Sequence, residues 1–235
     1  VKKVFLELGG KSANILLDDA DFGNALLSAL AVCFHAGQGC AIVTRLLVPG
    51  SRQAEAEALL KTYFGYIQYG NPAAQDQIMG PLINRRQQER VLGYIERGRQ
   101  EGARLLLGGG RPAHLPQGYY VEPTVFVDVT NDMTIAQEEI FGPVLAVIAY
   151  ENEEDAIRIA NDSVYGLSGA VWSADEARAL RVARRIRTGT INVNGGNFYA
   201  ADAPFGGYKQ SGLGREMGPE GFEEYLETKT IAIGC

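Results

Sequence analysis

Cysteine, histidine and tryptophan are scarce in this 235-residue chain: three, two and one. Cys33, Cys40 and Cys235 cannot all pair with one another, and no CxxC occurs. This usage points to a reducing, cytoplasmic setting rather than a disulfide framework. His35 and His114 are too few and too scattered to suggest a metal site, so no metal is expected. Long apolar runs are also missing. The most apolar stretch, residues 25–34, falls short of the ~18–20 residues that span a bilayer. No signal-peptide pattern opens the chain, and no membrane partner is expected. Basic charge is in deficit, with 22 Lys and Arg against 28 Asp and Glu, a formal net charge of -6. A nucleic-acid binder needs a basic face to displace counterions, so that partner class is not expected either.

What is present is an ordinary globular composition, 46% hydrophobic and 21% charged, long enough to bury a substantial core. Strand-like and helix-like segments alternate. Strands are expected at residues 3–8, 44–48, 103–107, 143–150, 168–172, 190–193 and 228–233. The segment 119–129 reads as an edge or irregular strand because Pro123 lies inside it. Helices are expected at 21–34, 51–66 with a Ser51 cap, 84–101, 153–161, 175–187 and 220–225. Apolar strands alternating with helices predict an α/β fold, a mostly parallel sheet flanked by helices. The chain opens on Val1 and runs at once into Val4, Phe5, Leu6 and Leu8, which reads as a strand cut from something larger.

Three glycine clusters invite a phosphate-loop reading, and each fails. Gly10-Lys11-Ser12 resembles the end of a P-loop, but Phe5 stands where its first glycine belongs. The run from Gly206 to Gly214 never gives Gly-Lys-Ser/Thr, and Gly108-Gly109-Gly110 precedes Arg-Pro. No GxGxxG follows a strand. The glycine-rich stretch 195–218 carries Phe198, Tyr199, Phe205 and Tyr208, which argues for an ordered, functional loop.

The cysteines divide by position. Cys33 falls on the apolar face of an expected helix and reads as a packed core thiol. Cys40 follows that helix in Ala36-Gly37-Gln38-Gly39-Cys40, where glycines permit a sharp turn and close approach of a ligand. It is either a reactive thiol or an ordinary small loop residue. Nearby backbone N–H groups could stabilise a thiolate or an oxyanion. Glu7 ends an apolar strand before Gly9-Gly10, and could take a proton from a thiol or a water. Its alternative role is to pair with Lys11 or Arg45.

Taken together, four motifs resemble the aldehyde dehydrogenase superfamily. Leu6-Glu7-Leu8-Gly9-Gly10-Lys11-Ser12 looks like its general-base motif, and Phe34 through Gly37-Gln38-Gly39-Cys40 like its cysteine motif. Glu138-Glu139-Ile140-Phe141-Gly142-Pro143-Val144 looks like its nicotinamide-contact motif. Pro204-Phe205-Gly206-Gly207-Tyr208-Lys209-Gln210-Ser211-Gly212 looks like its late loop beside the substrate. The likeness covers essentially the whole chain but only the second, catalytic half of a family member. It implies an upstream dinucleotide-binding domain that these residues do not contain.

The resemblance implies an NAD(P)-dependent oxidation of a small aldehyde, with Cys40 as nucleophile and Glu7 as base. It implies Glu139 on the nicotinamide ribose, Phe141 near the ring, and the Leu8 backbone and Gln87 on the same side. Without the motif, Glu139 would read as a surface carboxylate paired with a base, and Phe141 as core packing. NAD or NADP would be held mainly by the upstream domain, so weak cofactor binding is expected of these 235 residues alone. A homo-oligomer joined through the strand at 228–233 is implied as well. Gly39 and Ile42 depart from the family's usual residues around the cysteine, and Ala13 replaces a frequent proline. Two other functions fit: a thiol esterase or acyl-transfer activity that needs no dinucleotide, and a non-catalytic assembly domain.

Overall fold

The computed structural model describes residues 1–197 and 199–234, so Phe198 and Cys235 lie outside the described residues. Its strands are β1 (Leu6–Glu7), β2 (Ser12–Leu16), β3 (Val43–Pro49), β4 (Arg104–Leu107), β5 (Thr124–Val127), β6 (Val144–Tyr150), β7 (Tyr165–Gly166), β8 (Gly169–Trp172), β9 (Asn192–Val193), β10 (Tyr208–Lys209) and β11 (Gly212–Leu213). Its α-helices are α1 (Phe22–Ala25), α2 (Gln53–Gly65), α3 (Arg85–Gln100), α4 (Thr134–Gln137), α5 (Glu153–Asn161), α6 (Glu176–Ala183) and α7 (Gly218–Glu223). The main sheet has seven strands in the order β4-β5-β6-β3-β2-β8-β9. All neighbours in it are parallel except the β4/β5 pair. This is the expected α/β architecture. Helices cover both faces, and β2 and β5 are buried along their whole length, as parallel strands between helical layers must be.

Local chemistry sets the helix starts. Side chains of Asp21, Asn84, Asn152 and Asp175 accept backbone N–H bonds in the first turns of α1, α3, α5 and α6. On α3, Val91 and Ile95 recur at helical spacing and bury against the core.

Several sequence expectations are corrected. The Ser51 cap is not used: a 3-10 turn, Gly50–Arg52, leads into α2. The segment containing Pro123 is not an edge. β5 starts immediately after the proline and lies between β4 and β6, so the ring never occupies a ladder position. The strand expected at 3–8 shrinks to β1, which pairs with β11 outside the main sheet. The helix expected at 21–34 is α1 continued as 3-10 turns. The strand at 228–233 does not form; residues 226–234 are exposed and carry no ladder. Strand β2, which lies near the centre of the sheet, was not anticipated.

Candidate active site

Three neighbouring strands of the sheet, β6, β3 and β2, begin immediately after three of the motifs. β2 follows Glu7 through Lys11, β3 follows Cys40 through Ile42, and β6 follows Glu139 through Pro143. Parallel strands align their starts, so these loops converge on one edge. The fourth motif is tied in by β11, whose Gly212 pairs with Glu7. Leu8 N–H donates to the Ser211 carbonyl at 3.0 Å.

Glycines let the loops touch. A Cβ at Gly9 would overlap the Glu139 carboxylate, and one at Gly10 would come within 2.8 Å of the Cys40 carbonyl oxygen. At Gly37 it would overlap the Gly142 carbonyl. The helical run before the cysteine is broken at Phe34, and His35, Ala36 and Gly37 all take left-handed backbone (φ 52°, 53° and 72°). That unusual sequence of conformations turns the chain away from the helix and presents Cys40.

Cys40 is half-buried, whereas Cys33 is fully buried (0% exposed) in the core. Burial pushes the Cys33 thiol up to about 12. The Cys40 thiol is pushed up to about 11, first by burial and then by the Glu7 carboxylate beside it. The backbone N–H groups of Ala41 and Cys40 act in the opposite direction, favouring negative charge at the sulfur. Glu7 is half-buried and pairs with neither Lys11 nor Arg45 among the described residues; its Oε1 is buried without a hydrogen-bond partner. The Glu7 carboxylate beside the thiol thus disfavours the thiolate form of Cys40.

Glu139 is not a surface carboxylate paired with a base. Its Oε1 accepts the Gly10 N–H at 3.1 Å, its backbone carbonyl accepts from Arg90 at 2.7 Å, and burial raises its pKa. Its Oε2 accepts no hydrogen bond among the described residues. Phe141 is not core packing: it is 37% exposed and holds a left-handed φ of 58°. Leu8 is 44% exposed. Gln87 Nε2 donates to the carbonyls of Ile140 (3.2 Å) and Phe141 (2.7 Å), so it supports the Phe141 loop from behind.

Sequence reasoning gave Arg45 and Lys11 only as partners for Glu7, and both do something else. Arg45 is fully buried and donates to the carbonyls of Lys11, Ile159 and Ala160 and to Asn131 Oδ1. It ties the start of β3 to the end of α5. Lys11 is 2% exposed and its Nζ has no partner among the described residues. Burial, together with the Arg45 charge, lowers its pKa to about 7. No cluster of three or more His, Cys, Asp or Glu able to hold a metal occurs among the described residues. No helix among them is long and apolar enough to cross a membrane.

The model of the aldehyde dehydrogenase family matches residues 1–231. The chain belongs to this family. Staphylococcal relatives at 48–50% identity match 98% of the chain, which spans about half (49%) of their length. Among solved structures, a variant of aldehyde dehydrogenase C from Pseudomonas syringae, in complex with NAD+ and octanal, is 50% identical with a TM-score of 0.95. The match covers 97% of this chain and 47% of that one. A Mycobacterium tuberculosis aldehyde dehydrogenase complexed with NAD+ is 51% identical with a TM-score of 0.90, over 93% and 45% of the two chains. Betaine aldehyde dehydrogenase from Staphylococcus aureus, in complex with NAD+, is 46% identical with a TM-score of 0.93, over 96% and 45%. All four motifs that suggested the aldehyde dehydrogenase family from sequence lie within the matched residues.

Proposed function

We propose that this chain carries the chemical step of an NAD(P)-dependent aldehyde dehydrogenase, with Cys40 as nucleophile and Glu7 as its base. The observation that carries the reading is the Glu7 carboxylate set directly beside a half-buried thiol on a glycine turn, close enough to raise that thiol. Cys40 Sγ attacks the aldehyde carbonyl carbon, and the thiol proton passes to Glu7, giving a thiohemiacetal. The Cys40 backbone N–H donates to the developing oxyanion. NAD(P)+, when bound, accepts the hydride that leaves this carbon. After Glu7 has given the thiol proton up to solvent, it deprotonates a water that attacks the Cys40 thioester; the C–S bond breaks, the carboxylate is released and the sulfur regains a proton as the thiol. The cysteine-exchanged neighbour complexed with NAD+ and octanal supports this assignment of substrate class and cofactor.

The donor set fits the nicotinamide end of a dinucleotide. Glu139 offers a half-buried carboxylate oxygen suited to ribose hydroxyls. Phe141 and Leu8 offer exposed apolar surface at the same edge of the sheet, and Gln87 contributes through Phe141. No glycine cluster in the sequence matches a phosphate-loop pattern, so weak dinucleotide binding is expected of the 235 residues alone. NADH production at an ordinary family rate by this chain would refute that part. A thiol nucleophile also favours the reducing cytoplasm.

The decisive experiment is hydrolysis of an activated aryl ester, which needs the thiol and base but no dinucleotide. Cys40→Ala should abolish it; undiminished hydrolysis in that variant would reject Cys40. Homo-oligomerisation is proposed on the exposed apolar residues Ile231 and Ile233, which carry no sheet partner. Sizing in solution checks it, and a clean monomer counts against it.

A further inference from the structure

Cys40 lies in a four-residue turn that opens at Gly39 and closes at Ile42. The turn's only backbone closure among the described residues is the Ile42 N–H donating to the Gly39 carbonyl at 3.4 Å, a long hydrogen bond. The Ile42 side chain folds back over the turn. A Cβ at Gly39 would lie 2.8 Å from Ile42 Cδ1 and 3.0 Å from Cγ1. Apart from its chain neighbours, nothing else comes within 4 Å of that position. The φ of Gly39 is outside the left-handed range, so its backbone accepts any residue. A side chain at position 39 would therefore meet one neighbour alone, the Ile42 side chain. Ile42 is itself half-buried against the core, which limits its room to retreat.

We propose that Ile42 is a positioning residue for the Cys40 thiol, filling the space that Gly39 leaves open, and that residues 39 and 42 form a size-coupled pair. With so weak a hydrogen bond across the turn, the packing of Ile42 on Gly39 fixes where Cys40 sits relative to Glu7. This rests on Cys40 being the nucleophile only for its catalytic consequence; the coupling itself concerns the thiol's placement.

The test is a double-mutant cycle in the full 235-residue chain, with Gly39→Ala, Ile42→Ala and the double variant. The readouts are the iodoacetamide labelling rate of Cys40 across pH 8–12, mapped by mass spectrometry, and ester hydrolysis. Gly39→Ala should lower hydrolysis about tenfold, the scale of one overpacked methyl, and shift the pH at which Cys40 labels. In the Ile42→Ala background the same Gly39→Ala change should alter the rate less than about twofold and leave that profile in place. Equal losses in both backgrounds would overturn the proposal. So would a parental rate and profile in Gly39→Ala, or a double variant that fails to fold, because its space has been restored. The Cys40→Ala variant separates the two readings. If it still hydrolyses ester, the catalytic assignment fails while the labelling cycle still decides the coupling.

Discussion

Replacing Lys11 with methionine should stabilise this chain and flatten part of its pH dependence. Lys11 is 2% exposed, its Nζ has no hydrogen-bond partner among the described residues, and the Arg45 guanidinium nearby repels its charge. The cavity it lines with Ser12, Arg45 and Tyr165 holds about 10 Å³, room for roughly one water. A fall from 10.5 to about 7 corresponds to roughly 5 kcal/mol of discrimination against the ammonium form. Because this base loses affinity for its proton on folding, the unfolded chain holds the extra proton between pH 7 and 10.5. Stability therefore rises with pH across that window, by up to ~1.4 kcal/mol per unit. Below pH 7 both states are protonated and the penalty is complete; above 10.5 both are neutral and it vanishes. Methionine matches the stem and carries no charge, so the variant should gain about 4 kcal/mol at pH 7.5 and less than half of that at pH 9.5. Urea denaturation of both proteins at the two pH values measures this difference, and titrations elsewhere in the chain cancel in it. A gain below about 1 kcal/mol at pH 7.5, or a gain that does not change with pH, would mean that Nζ is solvated or paired and the reasoning is wrong.

Glu7→Gln should move two assays in opposite directions. The charge that raises the Cys40 thiol is gone, so iodoacetamide labels it several-fold faster at pH 8, while ester hydrolysis falls by about 10²-fold or more for want of a base; no change in either sinks Glu7. Arg45→Met strips the donors from the carbonyls of Lys11, Ile159 and Ala160, and should cost more than about 3 kcal/mol in urea denaturation. A loss under ~1 kcal/mol would show that water replaces the guanidinium. Gly37→Ala should cost more than about 3 kcal/mol, since it combines a left-handed φ with a clash against backbone at Gly142. Gly9→Ala meets only the carboxylate end of Glu139, which can swing aside, so the fold should survive with a loss of about 1 kcal/mol. Equal losses in the two glycine variants would contradict that ordering.

The strand–helix alternation was legible because caps and apolar periods agree locally. Asn84 and the apolar spacing of α3 both announce the same helix, and 153–161 was placed at its observed bounds. β2 was not legible, because its sequence, Ser-Ala-Asn-Ile-Leu, mixes polar residues into a strand buried on both faces. Asn14 Nδ2 donates there to Ser28 Oγ at 2.8 Å, a partner the sequence cannot show, while its Oδ1 stays buried without a partner among the described residues. Cys40 and Glu7 were legible as candidate residue types in a glycine context. Their proximity was not, because it depends on the order β6-β3-β2, which alternation alone leaves open. Nor was the burial of Lys11, whose place beside Gly9-Gly10 resembles a phosphate-binding lysine.

Those glycines carry the broader argument. Gly10 and the Gly206–Gly214 run fail as phosphate loops, and with Gly9 and Gly37 they have a different use in the structure. Gly9 seats Glu139, Gly10 lies against the Cys40 carbonyl, Gly37 lies against Gly142, and Gly212 against the Leu6 carbonyl. Each lets one motif's backbone rest on another motif, where a side chain would hold them apart. Binding sites in open parallel sheets ordinarily form at the carboxyl ends of strands. Here the motifs gather at the strands' starts, where each loop is drawn taut by the strand that follows it. Gly39 belongs to the same set with a difference: its neighbour is a side chain of its own turn. The contacts between motifs fix where the cysteine loop docks, and the contact within the turn fixes where Cys40 sits on it. Docking can therefore remain intact while the thiol shifts, which makes the turn the place where activity can be tuned without loss of the fold.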